Sequence, residues 1–389
     1  MSSHCRFWGV VLALGFGGMA LAVDEPVKVR IGLNHENGVF ERGEEVIFTI
    51  DAPARPGCRL RYSVDGDRKV TPLTAVPADG RPLTLKFQPD APAWFCVAAE
   101  LADENGQVLP GSLNMLGAIV DPSNIRQAGA EPADFDAFWA EQRRLLDQVP
   151  VKVLELREIE PPEPYRGRYR CYDAKVDCFG DKPVSGYLTI PVGARPKSLP
   201  AMVYYHGAGW GSANWHFVPD AISFDINAHG IENGKPAEFY ADLQKNALAA
   251  YMYRGMEDRE KSYFRNMFLR VLRSLDYVKT LPEWDGRRIL VYGSSQGGAQ
   301  ALVAAALDHD VTAVAAGVPA MCDHLGALDR RRPGWPGFLA RAAAAGQVPE
   351  VTRTAGYYDA ASFARRIRCE VFMSAGLIDL TCSPTSVYA

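Results

Sequence analysis

The stretch that most restricts how this chain can fold is Gly293-Ser294-Ser295-Gln296-Gly297, set between the apolar run Arg288–Tyr292 and an alanine-rich segment that reaches Leu307. A strand that turns into a helix within two or three residues needs a sharp backbone bend, and glycines on both flanks remove the side chains that would obstruct it. The serine at the apex then presents its Oγ at the sheet edge, next to unpaired N–H groups of the first helical turn. The plainer alternative is an ordinary turn in which Ser294 or Ser295 caps the helix. A strand before and a helix after favour a nucleophile at Ser295.

A serine hydroxyl is a poor nucleophile at neutral pH and needs a base, while the oxyanion that it creates needs positioned donors. The backbone N–H of Gln296 is one donor. The buried-type strand Ala201–Tyr205 runs into His206-Gly207-Ala208-Gly209, where the N–H of Ala208 is the second candidate and Gly207 permits close approach of a carbonyl. Gly376-Leu377-Ile378-Asp379 follows the late strand Glu370–Ser374, which makes Asp379 the orienting acid by position. The base is the missing member. The order serine, acid, histidine calls for a histidine after Asp379, and none occurs up to Ala389. The expectation is therefore that the chain is cut short and that the base lies beyond Ala389, with His324 a remote stand-in. His206 reads as a hydrogen-bonded structural histidine, and His216, His229 and His309 take no assigned part.

Patterning on either side of this constellation divides the chain. Short segments that alternate apolar and polar residues, such as Val27–Ile31, Glu45–Ile50 and Leu83–Phe87, are separated by Gly, Pro, Asp and Asn turns. They predict an all-β, immunoglobulin-like sandwich over 23–121, in which Tyr62 and Trp94 read as core rather than as carbohydrate platforms. A helix over Pro132–Gln148 and strands near Val151–Leu156, Tyr169–Val176 and Val184–Ile190 follow. Strands then alternate with helices, including one from Lys261 to just before Pro282 with apolar residues every three or four positions. The fold class expected for 130–389 is α/β, a doubly wound sheet of the α/β-hydrolase type.

The formal net charge is −4 over 389 residues with no run of Lys or Arg, which leaves nucleic acid without an electrostatic footprint. Arg6, the apolar stretch Phe7–Leu21 and Ala20-Leu21-Ala22 read as an export signal cleaved after Ala22, so a secreted or periplasmic protein with no membrane span is expected. Export permits disulfides. Cys58 with Cys96 is the favoured pair, and Cys171 with Cys178 could cross a hairpin. No Cys or His cluster has zinc spacing, and neither metal nor cofactor is implied.

Several of these stretches together resemble the acetyl xylan esterase and cephalosporin-C deacetylase group, carbohydrate esterase family seven. They are Asp134-Phe135-Asp136-Ala137-Phe138-Trp139, Gly186–Pro191, Tyr205-His206-Gly207, Arg254-Gly255, Gly293–Gly298 and Gly376–Cys382, and the resemblance runs over roughly Pro132–Ala389. It implies a Ser-His-Asp esterase that takes acetyl groups from carbohydrate hydroxyls without a cofactor, commonly as a homo-oligomer. Ser295 and Asp379 then map onto nucleophile and acid, Gln296 and Ala208 onto the oxyanion hole, and Gly207 and Arg254 onto the substrate side. Met256 replaces the glutamine of the family's Arg-Gly-Gln motif, and Ala208 stands where a tyrosine is common. Two rival functions are a peptidase on the same fold and a non-catalytic carbohydrate-binding or scaffold protein.

Overall fold

The computed structural model describes residues 27–67 and 70–389, so the export signal expected over 1–22 lies outside the described residues. Eight strands come first: β1 (Arg30–Leu33), β2 (Val39–Phe40), β3 (Val46–Asp51), β4 (Arg59–Gly66), β5 (Thr71–Pro77), β6 (Leu83–Phe87), β7 (Ala93–Ala102) and β8 (Asn114–Val120). They form a three-stranded sheet, β1-β3-β6, and a five-stranded sheet, β2-β8-β7-β4-β5. Alternation explains why these sheets face each other: Val46, Phe48 and Ile50 of β3 are buried while Ile47 and Thr49 between them are only half-buried. Phe87 joins the layers, edge-on to Phe48 at 6.0 Å and stacked on Phe95 at 4.5 Å.

The disulfides expected from sequence do not form: all seven cysteines among the described residues are free. Cys58 precedes the first residue of β4, whereas Cys96 pairs with Asp65 near that strand's other end. The two are separated by most of the strand's length, on the order of 20 Å, beyond the Cα separation that a disulfide spans. Cys171 and Cys178 lie seven positions apart along one extended segment instead of facing each other across a hairpin.

Helix α1 (Phe135–Asp147) opens the second part, within the helix expected over Pro132–Gln148, and buries Phe135, Phe138, Trp139, Gln142 and Leu146 at helical spacing. The strands that follow are β9 (Val153–Ile159), β10 (Tyr169–Val176), β11 (Val184–Pro191), β12 (Leu199–Tyr205), β13 (Ile222–Ile226), β14 (Trp284–Ser294), β15 (Ala313–Gly317) and β16 (Glu370–Ser374). The remaining helices are α2 (Ala237–Lys245), α3 (Tyr263–Thr280), α4 (Gln296–Leu307), α5 (Phe338–Ala345), α6 (Val348–Ala355), α7 (Ala360–Ala364) and α8 (Pro384–Tyr388). One eight-stranded sheet results, in the order β16-β15-β14-β12-β13-β11-β10-β9. The five strands from β16 to β13 pair in parallel and the others antiparallel. The C-terminal ends of β12, β14, β15 and β16 thus open on one edge of the sheet, where ligands gather in parallel α/β architectures.

Helices α3 and α4 lie side by side on one face, reached by Tyr205 of β12, whose hydroxyl meets Ser274 at 3.3 Å. Phe264, Met267, Phe268, Val271, Leu272 and Leu275 of α3 are each at most 1% exposed, and each contributes roughly 1.5–3 kcal/mol by leaving water. On the other face the loop after β12 is fastened by three consecutive ring stacks. Trp215 lies on Tyr187, His216 on Tyr204 and Phe217 on Tyr165, with centroids 3.7–3.8 Å apart. This loop is built into the sheet.

Candidate active site

Ser295 stands between the last residue of β14 and the first of α4 with φ 56° and ψ −123°. A side-chain-bearing residue seldom adopts this backbone, which costs about 1–3 kcal/mol, and the surroundings explain why it persists. The Ser295 N–H donates to Gly317 at 2.9 Å, and its carbonyl accepts from Ala320 at 2.9 Å and from Ala299 at 3.2 Å. A Cβ on Gly293 would collide with the Gly297 carbonyl, and one on Gly297 with the Tyr205 carbonyl. Both glycines are therefore dictated by the tight crossing of strand, turn and helix, as the motif suggested.

The loop after β12 reaches the same point. A Cβ placed on Gly207 would come within 3.9 Å of the Ser295 Cβ, and the Gln300 amide ties the His206 carbonyl to α4 at 2.9 Å. Ala208 is exposed on this loop. Gln296 holds the first helical position, where its N–H belongs to the unpaired set at a helix start. Its buried side chain accepts the Tyr251 hydroxyl proton at 2.5 Å, which fixes the residue that carries that N–H.

Asp379 lies in the loop beyond β16, and its Oδ1 accepts the backbone N–H groups of Thr381 and Cys382, both at 2.8 Å. Cys382 in turn places Sγ 3.8 Å from Ser295 Oγ, so Ser295 and the loop of Asp379 meet through one residue. Burial pushes the Cys382 thiol up to about 11, so it stays protonated and is a neighbour of the serine rather than a rival nucleophile. The first eight strands also reach this loop. The indole N–H of Trp94 donates to the Leu377 carbonyl at 2.7 Å, and Gly117 packs so closely that a Cβ there would overlap that same oxygen. Trp94 is core, as read from sequence, but the core of an interface.

His206 and His216 both point at Asp225, a residue 2% exposed in β13. The His206 Nε2 hydrogen-bonds one carboxylate oxygen, the His216 Nε2 the other at 2.7 Å, and the Asn214 N–H adds a third bond at 3.0 Å. Burial pushes the Asp225 carboxyl up, yet the hydrogen bonds from the two imidazoles outweigh it and hold the group below its ordinary value. Asp225→Asn leaves a buried donor facing a donor, which costs about 2 kcal/mol. A carboxyl depressed in the folded state adds stability above its unfolded value of about 3.9. The gap in melting temperature between wild type and variant is thus full at pH 7 and closes as pH falls below 4, in thermal unfolding followed by circular dichroism.

Two positions are corrected. His324 does not reach Ser295: it is fully buried, packed 4.5 Å from Phe338, and burial lowers it to about 4. Among the described residues no histidine nitrogen hydrogen-bonds the Ser295 hydroxyl. Arg254 does not face Ser295 either; its guanidinium donates to the Ala249 carbonyl at 3.0 Å and lines a separate cavity with His229. Sequence reading also passed over Asp225, although one acid inside the apolar run Ile222-Ser223-Phe224-Asp225-Ile226 was a visible signal for a buried partner. Trp94 and Cys382 gave none, because their roles depend on contacts across hundreds of residues or across the sheet edge.

Comparison with known proteins agrees with this geometry. The acetyl xylan esterase (AXE1) family model matches residues 121–389. The curated acetyl esterase Axe7A of Xylanibacter ruminicola is 32% identical over 276 residues, 69% of this chain and 61% of that protein. The chain thus spans less than two thirds of that relative's length. Among solved structures, an acetyl xylan esterase from Paenibacillus sp. R4 superposes with a TM-score of 0.56 and 26% identity, covering 69% of this chain and 86% of that one. Acetyl xylan esterase 1 from Thermoanaerobacterium sp. JW/SL YS485 gives the same TM-score and coverage at 23% identity, a likeness of fold. With a serine at a strand-to-helix elbow, an acid loop beside it and a family match over more than half its residues, this chain belongs to the acetyl xylan esterase family.

Proposed function

We propose that the protein is a serine esterase that removes acetyl groups from carbohydrate hydroxyls. The observation that carries this reading is Ser295 itself, held at positive φ between Gly207 and the start of α4. In the proposed reaction the Ser295 Oγ attacks the acyl carbon, and the backbone N–H groups of Gln296 and Ala208 receive the oxyanion. In the proposed triad a histidine base takes the proton from Ser295 and returns it to the leaving sugar hydroxyl, while Asp379 holds that imidazole in its working tautomer. Water then repeats the attack and releases acetate. The signal-like stretch Arg6–Ala22 supports a secreted or periplasmic setting for such a substrate.

The reading is tested by comparing a chromogenic acetate, acetylated xylo-oligosaccharides and a peptide anilide on full-length protein. Acetate release from both esters is expected, with kcat/KM for the anilide at least about a hundredfold lower, since an amine leaves far less readily than an alkoxide. Preference for the anilide would replace this function by a peptidase, and no turnover of any of the three by a binding or scaffold role.

A further inference from the structure

Helix α3 carries an arginine whose buried charge meets no carboxylate in contact, only the hydroxyl of Tyr263 beside it and the more distant charge of Asp181. Arg270 is 3% exposed, its Nη2 donates to the Ala228 carbonyl at 2.9 Å, and its Nε has no hydrogen-bond partner. Among the described residues no carboxylate reaches ion-pair distance of it. Burying a guanidinium with no carboxylate in contact is costly, and an anion bound beside it would offset that cost. Arg270 borders a cavity of about 460 Å³. One helical turn earlier Asn266 borders the same cavity with a buried Oδ1 that has no partner either.

The walls repeat the imbalance. Lys182, Arg254 and Lys261 join Arg270 as cations, against the two exposed carboxylates of Asp181 and Glu260. Glu260 is already 3.3 Å from Arg265, and Lys261 3.1 Å from Asp258. The cavity also adjoins the loop that faces Ser295, through a chain whose proton positions are determined. His229, another wall residue, has Nε2 2.9 Å from the Gly209 carbonyl, which can only accept, so Nε2 carries the hydrogen. Its Nδ1 then accepts the Tyr263 hydroxyl proton at 2.8 Å. Burial, and after it the charge of Arg270, lower His229 to about 4, so it remains neutral and adds no positive charge of its own.

We propose that this cavity is a binding subsite for a carboxylate with a neighbouring hydroxyl, the chemistry of a sugar acid, so that the preferred substrate is an acylated saccharide that carries one. The carboxylate meets Arg270 and the cations at the rim, and the hydroxyl meets the side-chain amide of Asn266 where it borders the cavity. The statement about substrate rests on the esterase reading; the statement about the cavity does not.

The test is calorimetric titration of full-length protein at low salt with D-glucuronate, D-glucose and acetate. Glucuronate is expected to bind at least tenfold more tightly than either of the others, since only it offers both groups. Asn266→Asp keeps the side chain's shape and sets a carboxylate one turn from Arg270, an internal replacement for the ligand. This variant is expected to weaken glucuronate at least tenfold and to raise the melting temperature, which also shows that it folds. Arg270→Gln is expected to abolish the preference for glucuronate. Equal affinity for the three probes, no detectable glucuronate binding, or unchanged binding by Asn266→Asp would overturn the subsite. Because binding is read without turnover, failure of the esterase reading and failure of the subsite give different results.

Discussion

Ser295→Ala is expected to abolish ester hydrolysis, a loss on the order of a millionfold in kcat when a triad nucleophile is removed, with the fold intact. Alanine differs from serine by one hydroxyl, and that hydroxyl's recorded contact is the 3.8 Å approach to Cys382 Sγ rather than a structural hydrogen bond. The groups that hold the elbow are the backbone N–H and carbonyl of residue 295, which alanine keeps. The melting temperature should therefore stay within a degree or two of wild type, and a fluorophosphonate should label the wild type alone. Ser295→Gly separates chemistry from conformation. Glycine accepts φ 56° without penalty, so this variant should be equally inactive but more stable by up to about 1 kcal/mol. Turnover by Ser295→Ala within tenfold of wild type would remove Ser295 from the reaction.

That test can be framed from sequence because the elbow is a local object. Strand period, two flanking glycines and a small-residue helix lie within about twenty positions, and β14, Ser295 and α4 follow in that order. The same holds for β10, β16 and α1, whose periodicity is a property of neighbours in the chain. Where partners are distant, the reading was thinner. Strand β13 was hidden in the loop after β12, because five buried residues interrupted by Ser223 and Asp225 give neither an alternating nor a continuous apolar signal. Arg254, read by motif, proved to line the cavity with Arg270, since a two-residue match carries no information about direction. The disulfide between Cys58 and Cys96 failed for a related reason: their separation in sequence does not reveal their separation along β4.

The contact least visible in sequence is the one between the first eight strands and the acid loop, and it carries the second large effect. Three glycine or indole positions converge on Leu377, two residues before Asp379. Trp94 donates to its carbonyl at 2.7 Å, Gly117 leaves no room for a Cβ beside that oxygen, and a Cβ on Gly38 would stand 2.9 Å from its side chain. Arg332 and Asp65, 2.7 Å apart, fasten the same surface further along. Gly117→Ala must displace something, and β8 cannot yield easily, being paired to β7 through Cys96 opposite Gly117. The acid loop moves instead, and a shift of about 1 Å at a catalytic group costs roughly a hundredfold in kcat. Trp94→Phe keeps the buried ring but deletes one hydrogen bond, worth about 1 kcal/mol, so a loss nearer fivefold is expected. Both changes should fall on kcat with KM nearly constant, because in the proposed reaction Asp379 orients the base rather than holds the sugar. A purely structural role predicts the opposite pattern: a lower melting temperature with kcat of the folded fraction unchanged. Wild-type kcat in Gly117→Ala would show that the acid is positioned from within its own loop, by the N–H groups of Thr381 and Cys382 alone.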